Sequence, residues 1–366
     1  RGKAGYKAFD QLAHDKSQPL FARIHSIWGL SQLVFNDTIK REKLSALLPL
    51  LQDNNPQVRI QTARVLGDHA APFAAQTLIN ALDDQHPQVV MYAALGLGKL
   101  NQAASINSVI NKLEQNNDQD LWLRHALTMT LKGTDKKHWL KYKNHPDKAV
   151  RMGILLALRL LEDADVAYFL KDKEITLVNE AIVAIEDKNI ISARPQVAAL
   201  LDAERIANTD VQAYMHFRII NANFNEGRAE DAKRLLDYIS HQGLSDKLAS
   251  EALAAIEGWH DLNPIDTITG LPSTANASRA NIQPLVLNYL PKILARVKGQ
   301  SLVQAMRIAG KENFDIAEQT LIDIASAKTA DEARIQALAL LTKRLQSAIV
   351  PIVQSLLDDQ STAIKP

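Results

Sequence analysis

Ten histidines are the first residues in this chain that could bind a metal ion or transfer protons. The closest grouping is His125, His138 and His145, and it lacks the His-Glu-x-x-His spacing that places two ligands on one helix face. Cysteine is absent, which excludes disulfides, thiolate metal sites and thiol nucleophiles. We therefore expect surface and turn histidines, with no bound metal and no cofactor.

Paired carboxylates are the next candidates for proton transfer. General acid–base catalysis needs one carboxyl whose pKa is raised by desolvation, and nothing near these pairs in the sequence would desolvate one. In turns between helices, aspartate usually caps the next helix instead. The sequence therefore predicts that the chain is not an enzyme. The pairs are Asp83-Asp84, Asp163 with Asp165, and Asp358-Asp359.

A basic segment with interleaved aromatic residues runs from Leu121 to Arg151. Exposed Trp beside Arg is typical of protein-binding hot spots, and basic grooves that stack nucleic-acid bases have the same composition. The alternative is that Trp139 and Tyr142 pack between structural units while the lysines form a solvated face. The partner-binding candidates are Trp122, Arg124, Trp139, Lys141, Tyr142 and Arg151.

The overall charge restricts the kind of partner. Forty-two Lys and Arg nearly balance 41 Asp and Glu, so the formal net charge is +1 and the whole chain does not attract a polyanion. No segment approaches the roughly 20 apolar residues that cross a bilayer. We expect a protein partner, including neighbouring domains of the same parent chain, with no membrane insertion and nucleic acid disfavoured. Neither end resembles a polar capping repeat, which favours a fragment of a longer protein.

A recurring motif predicts the elements that position these side chains. Each copy has a polar turn, an apolar residue, often Arg, and then a stretch rich in small residues; the clearest copies run from Asp53 to Gly67 and from Asp84 to Gly98. Successive starts between Ser17 and Gly243 lie 27 to 36 residues apart. Such a period indicates stacked helical hairpins in one quasi-linear array. Looser copies begin at Ser17, Asp118, His145, Asp172, Asn208, Gly243 and Lys328.

The second helix of each hairpin has a predicted buried face. Val58, Thr62, Val65 and Leu66 follow the i, i+4, i+7, i+8 spacing of one helix face. A glycine near the end of such a helix is expected to adopt the left-handed terminating conformation. The predicted core leucines are Leu66, Leu97 and Leu158, and the predicted terminators are Gly67, Gly98 and Gly133.

One segment, residues 260–281, interrupts the helical pattern. It is rich in Pro, Ser, Thr and Asn, and loops of this length usually bind something or are disordered. Its apolar content predicts that it packs along the helices, with a neighbouring domain as a further contact. The predicted organisation is repeats over 1–259, the inserted loop, and repeats again over 282–366. The loop candidates are Asp266 and the apolar anchors Ile265, Ile268 and Leu271.

The Pro-x-Val-Arg turn, the Ala-rich second helix and the Leu66-Gly67 ending resemble HEAT repeats over nearly the whole chain. The resemblance implies an all-α right-handed superhelix of about ten helical hairpins, with second helices lining the concave side. It also implies that a turn Asp and the Arg six residues later form a ladder between adjacent repeats. We expect each Arg of the ladder to reach a turn carboxylate or carbonyl of its own or the preceding repeat. Val90 and Val178 interrupt the ladder opposite Asp84 and Asp172. The ladder residues are Asp53, Arg59, Asp118, Arg124 and Arg151.

A narrower resemblance rests on Leu12-Ala-His14-Asp15, on Trp28-Gly-Leu30, and on Asp266-Thr-Ile-Thr-Gly270. These stretches are similar to the HEAT segment of large bacterial secreted proteins, where it lies between a sugar-dehydrogenase-type propeller and a cytochrome c domain. The resemblance implies a spacer in a haem-containing electron-transfer protein and a periplasmic or secreted location. Three functions remain open: an interaction or spacer scaffold, which we favour, a HEAT-like lyase acting on a tetrapyrrole, and a nucleic-acid-binding HEAT module.

Overall fold

The computed structural model describes residues 2–202, 213–241, 243–357, 359–361 and 363–364. The described residues form helices and turns, with one isolated extended contact, between Ile265 and Pro272. The all-α prediction is confirmed. The chain divides into two compact units, Arg1–Asp163 (unit 1) and Ala164–Pro366 (unit 2), and their boundary lies inside the first predicted segment, 1–259.

Unit 1 alternates short first helices with longer second helices. Several first helices are partly or wholly 3₁₀, as in Arg41–Gln52 and Leu140–Asn144. The α-helices are α1 (Gly2–His14), α2 (Leu20–Phe35), α3 (Pro56–Asp68), α4 (Ala75–Asn80), α5 (Pro87–Lys99), α6 (Ile106–Asn116), α7 (Leu121–Gly133) and α8 (Lys148–Leu161). The second helices α2, α3, α5, α7 and α8 pack side by side in that order.

Unit 2 continues the hairpin pattern and contains the inserted loop between its fifth and sixth α-helices. The predicted repeat start at Asn208 lies outside the described residues. The α-helices are α9 (Ile175–Asp187), α10 (Arg194–Ala198), α11 (Ala213–Glu226), α12 (Ala229–Ile239), α13 (Asp246–Glu257), α14 (Gln283–Leu294), α15 (Gly299–Lys311), α16 (Glu318–Ser326), α17 (Asp331–Leu345) and α18 (Val350–Ser355).

Helix α3 shows how the repeated motif produces a helix. The Asn55 side chain accepts a hydrogen bond from the Gln57 amide at 2.9 Å, and Pro56 occupies the first turn, where no N–H is needed. Leu66 is fully buried, and its equivalents Leu97 and Leu158 are buried equally, so the predicted core is confirmed. Each such leucine stabilises the fold by about 1.5–3 kcal/mol relative to an exposed side chain.

The glycines of the second helices have a different role from the predicted one. Gly67, Gly98 and Gly133 lie within their helices and do not adopt positive φ, so the terminator prediction is wrong. A Cβ on Gly67 would lie 2.7 Å from the Cα of Gly96, and one on Gly98 would lie 2.8 Å from the Met129 carbonyl oxygen. These glycines therefore permit the backbones of neighbouring second helices to approach closely.

Candidate interaction surfaces

An arginine ladder links successive repeats of unit 1. Arg23 donates to both carboxylate oxygens of Asp53, at 3.4 and 2.5 Å, and Arg59 donates to both oxygens of Asp84, at 2.7 and 2.9 Å. The predicted ladder between adjacent repeats is therefore present, but Asp53 and Asp84 each pair with the Arg of the preceding repeat, so the predicted break at Asp84 is wrong. In its own turn Arg59 reaches only the carbonyls of Asp53 and Asn54. The reason is that α3 and α5 pack side by side, which brings the Arg59 guanidinium to the following turn.

Later arginines of unit 1 bind within their own turns. Arg124 donates to the Asp118 carboxylate at 3.2 Å, as the ladder pattern predicts. Arg151 is 4% exposed and donates to the carbonyls of His145 and Pro146, both at 2.8 Å. Its prediction as a partner contact is therefore wrong, because a guanidinium held below the surface by turn carbonyls does not reach a partner.

The remaining basic and aromatic candidates are divided between core and surface. Trp139 is fully buried, and its indole N–H donates to the Thr134 carbonyl at 3.0 Å, so its prediction as a partner contact is wrong. Tyr142 is half-buried and donates to the Asn107 side chain at 2.7 Å. Lys141 is exposed, with its ammonium 5.1 Å from the centre of the Tyr142 ring.

Trp122 is the exposed aromatic residue of this segment. It is 77% exposed and stands beside Leu121, which is 59% exposed. The Asp120 carboxylate accepts hydrogen bonds from the amides of Trp122 and Leu123, at 2.9 and 3.0 Å, and so begins α7 here. This cap places the indole on the first turn of α7, facing solvent, as a partner-binding candidate requires.

A row of aromatic, cationic and amide side chains was missed by the sequence analysis. The Trp28 indole donates to the Gln61 side chain at 3.0 Å, and the Arg64 guanidinium lies 5.9 Å from the centre of the Tyr92 ring. These contacts link α2 to α3 and α3 to α5. We call the solvent-facing side of the unit 1 second helices the second-helix face: His25, Trp28, Gln61, Arg64, Tyr92, Lys99, Trp122, Lys132, Lys148 and Arg159.

The helical spacing that predicts the buried side of each second helix also predicts which residues lie on its exposed side. On α3, Gln57, Gln61, Arg64 and Asp68 follow the i, i+4, i+7, i+11 spacing on the side opposite Leu66. The residue types at these exposed positions differ from repeat to repeat, so a comparison of the repeats in sequence does not identify them as one surface. Only the packing of neighbouring helices places them in one surface.

In unit 2 the inserted loop packs against α11, as predicted. Asp266 accepts hydrogen bonds from the amides of Asn221 and Asn225, at 2.7 and 3.1 Å, and Arg194 donates to the Thr274 hydroxyl at 2.6 Å. Burial disfavours the charged form of Asp266, yet the hydrogen bonds outweigh it and hold the pKa of this carboxyl below its usual value. The loop is therefore anchored mainly by polar contacts.

The predicted apolar anchors of the loop are less buried than the sequence suggested. Ile268 and Leu271 are half-buried, whereas Ile265 is 51% exposed, so the prediction of Ile265 as an anchor is wrong. The Asp266 amide donates to the Leu271 carbonyl at 2.9 Å and closes a tight turn. In this turn the Asp266 carboxylate faces α11, and Ile265 remains at the exposed edge of the loop.

Arg279 fixes the end of the loop between two aromatic rings. Its guanidinium lies 4.4 Å from the ring centre of Phe224 and 4.2 Å from that of Trp259. It also donates to the carbonyl oxygens of both residues. Burial lowers the pKa of Arg279 to about 10, against the opposing effect of Asp231. This cation thus acts as an internal clamp.

The most strongly perturbed acid of unit 2 is Glu186. It is 1% exposed, its Oε1 accepts no hydrogen bond from the described residues, and it lies 3.7 Å from Nε of Arg194. Burial raises the pKa of Glu186 to about 8; Arg194 and Arg218 oppose the shift, and Asp266 and Glu226 reinforce it. Burial therefore favours the neutral form of this carboxyl beside the arginine that anchors the loop.

A pocket of about 230 Å³ lies between α11, α13 and the loop, with Asn221, Phe224, Glu251 and Asp266 among its lining residues. This volume is below the roughly 300–1,000 Å³ of most small-molecule sites. Within the described ranges, no group of three or more His, Asp or Glu is arranged to hold a metal ion. No helix found in these ranges is long and apolar enough to cross a membrane.

The family comparison covers the centre of unit 1. Residues 44–132 match the family model described as HEAT repeats. This part of the chain is therefore similar to HEAT repeats in sequence. The predicted recognition of HEAT repeats is therefore confirmed, and each unit is a HEAT-like stack of paired helices. No curated protein sequence matches the chain.

Several solved HEAT-like structures are similar at low sequence identity. The complex of CpcE and CpcF of phycocyanin lyase from Nostoc sp. PCC7120 has 14% identity and a TM-score of 0.34, covering 72% of this chain and 90% of that one. Importin beta has 11% identity and a TM-score of 0.45, covering 98% and 56%. The karyopherin Kap121p, bound to the extreme C-terminus of the protein phosphatase Cdc14p, has 12% identity and a TM-score of 0.47, covering 99% and 45%.

Proposed function

We propose that this chain is a non-catalytic scaffold that binds another protein through the second-helix face of unit 1. The observation that carries the proposal is the exposure of Trp28, Arg64 and Trp122, beside the half-buried Tyr92, on helices that pack side by side. Trp, Tyr and Arg supply most of the binding energy at protein interfaces. Stacked repeats also offer an extended surface for such contacts.

Two observations support a role without catalysis. Glu186, the acid with the most raised pKa, is buried against Arg194 instead of facing a cleft. The pocket beneath the loop is smaller than most small-molecule sites, which disfavours a tetrapyrrole there. We expect the purified chain to show no saturable turnover of haem or a bilin, measured by absorbance spectroscopy. Saturable turnover abolished by a single His or Asp substitution would overturn this part of the proposal.

Affinity capture from extracts of the native host tests the binding role. We expect a protein partner to be recovered with the wild-type chain and lost with the double variant Trp28→Ala, Trp122→Ala. The matched control is Tyr168→Ala, which removes an aromatic side chain that is 43% exposed in unit 2. Equal recovery with the double variant and the wild type would remove the second-helix face from the proposal.

The resemblance to propeller–HEAT–cytochrome proteins supports a narrower form of the proposal, in which the chain is a spacer beside redox domains. The exposed edge of the loop, with Leu262 and Ile265, is the surface that such a neighbour would contact. This form predicts a Cys-x-x-Cys-His sequence encoded downstream of Pro366. A stop codon shortly after Pro366 would argue against the cytochrome arrangement without affecting the binding role.

A further inference from the structure

The charges of this chain are divided unequally between its two units. Residues 1–163 contain 21 Lys and Arg against 15 Asp and Glu, whereas residues 164–366 contain 21 against 26. The formal charge of +1 therefore conceals a basic unit 1 and an acidic unit 2. A partner is attracted by the local field of the surface that it contacts, and the net charge of the whole chain does not describe that field.

Within unit 1 the acidic residues avoid the second helices. Helices α2, α3, α5, α7 and α8 together contain nine Lys and Arg and a single acid, Asp68. The other fourteen acids of residues 1–163 lie on α1, on first helices and in turns. The second-helix face is consequently cationic.

Four of the nine cations have partners in the turns between helices. They bind turn carboxylates or carbonyls: Arg23, Arg59, Arg124 and Arg151. The other five lie on the second-helix face, with at least one on each of α3, α5, α7 and α8: Arg64, Lys99, Lys132, Lys148 and Arg159.

Local electrostatics account for only part of this positive charge. Asp68 lies 2.7 Å from Lys99 and 3.6 Å from Arg64, so one carboxylate serves two cations. The helix dipole favours a cation in the last turn, which suits Lys99, Lys132 and Arg159, but it disfavours Lys148 in the first turn of α8. The face therefore retains excess positive charge beside its aromatic side chains.

We propose that the second-helix face binds an extended acidic segment of a partner protein, with a carboxylate at about every third residue. This inference rests on the proposed function and names the chemistry of its partner. Packed helices lie about 8–10 Å apart, and an extended chain rises about 3.3 Å per residue, so three residues span one repeat. One carboxylate would then meet the cation of each successive helix from Arg64 through Lys99 to Lys132, while Trp28 and Tyr92 contact the intervening residues.

The spacing of charges favours a peptide over a nucleic acid. Each strand of DNA carries a phosphate about every 3.4 Å, whereas the face offers roughly one or two cations per helix, or about one per 5–10 Å. Many phosphates along a bound strand would therefore lack a partner. In a peptide whose carboxylates are spaced like the helices, each carboxylate can pair with a cation of the face.

Fluorescence anisotropy with the full chain tests the inference. The probe is a fluorescein-labelled peptide of repeated Asp-Ser-Ser, compared with the same peptide carrying Asn in place of Asp. We expect the Asp peptide to bind, the Asn peptide not to bind, and Lys99→Glu with Lys132→Glu to weaken the Kd by about tenfold or more. The matched control is Lys40→Glu with Lys43→Glu, which makes the same charge change at the 3₁₀ helix Arg41–Gln52 of unit 1 and should alter the Kd by less than about twofold. Circular dichroism verifies that both double variants keep the helical fold.

Three results would overturn the inference: no binding of the Asp peptide, equal losses in the two double variants, or tighter binding of an oligothymidine of matched charge. The last result would assign the face to nucleic acid. Retained capture of a protein partner without binding of the Asp peptide would leave the proposed function standing and reject only the acidic segment.

Discussion

The Arg23 guanidinium donates to both carboxylate oxygens of Asp53, and both side chains are almost completely buried. The pair joins two repeats that are separated by thirty residues of sequence. Burial disfavours the charged form of Asp53, but hydrogen bonds from Arg23 and from the Asn55 amide outweigh it, so the pKa of this carboxyl lies below its usual value. The Arg59–Asp84 pair repeats the arrangement one step further along unit 1.

Removing one partner of this pair should destabilise unit 1. Asp53→Ala leaves the Arg23 guanidinium buried without its carboxylate, which costs about 3–5 kcal/mol of unfolding free energy. The control Asp68→Ala removes an exposed partner of Lys99 and should cost less than about 1 kcal/mol. Urea unfolding followed by circular dichroism measures both. Equal losses would show that the ladder does not depend on burial.

The same pair predicts a loss of stability in acid. Because the pKa of Asp53 is lower in the folded than in the unfolded chain, its contribution is complete above the unfolded value of about 3.9 and disappears as the pH falls through the folded value. Asp53→Asn should therefore flatten the acid limb of the stability profile. An unchanged acid limb in this variant would contradict the prediction.

Glu186 predicts the opposite dependence in unit 2. Its folded pKa of about 8 lies above the unfolded value, so its contribution is complete below about pH 4.3 and is lost as the pH rises through about 8. In the wild type, the unfolding free energy should fall by on the order of 1.4 kcal/mol per pH unit in this window, and Glu186→Gln should abolish that fall. The variant should thus be more stable than the wild type at pH 8, with little difference at pH 4. A constant difference across this range would assign the effect to packing.

Close helix packing predicts opposite effects at two glycines. Gly98→Ala places a Cβ 2.8 Å from the Met129 carbonyl oxygen and should cost about 1–3 kcal/mol. Gly310 lies in α15 with nothing within 4 Å of the added Cβ, so Gly310→Ala should stabilise by up to about 1 kcal/mol. Thermal unfolding compares the two variants with the wild type. Destabilisation by both would contradict the packing argument.

The loop should depend on its arginine clamp. Arg279→Ala removes the cation between Phe224 and Trp259, so thermolysin should cut near Ile268 and Leu271 faster than in the wild type. The control Arg307→Ala removes an exposed arginine that pairs with Glu257, and it should leave the cutting rate unchanged. Rapid cutting of the wild-type loop would show that the polar anchors do not hold it against the helices.

The repeat period predicted the all-α fold and the buried faces because both follow from local spacing. Leu66, Leu97 and Leu158 stand at equivalent positions, and a position that is apolar in every hairpin must face the core. The loop was also evident, because its Pro residues interrupt a helix and its Ser, Thr and Asn residues leave no apolar helical face. Its polar anchors were less evident, since the hydrogen bonds of Asp266 join residues more than forty positions apart.

Partner choice and surface composition were decided by the tertiary structure. Asp53 lies much closer to Arg59 in sequence than Asp84 does. Only the side-by-side packing of α3 and α5 makes the Asp84 carboxylate the partner of the Arg59 guanidinium. Trp122 and Trp139 belong to the same basic segment, yet a helix cap exposes one and a turn buries the other. The period determines which side of each helix is buried, whereas the stacking of helices determines which exposed side chains meet.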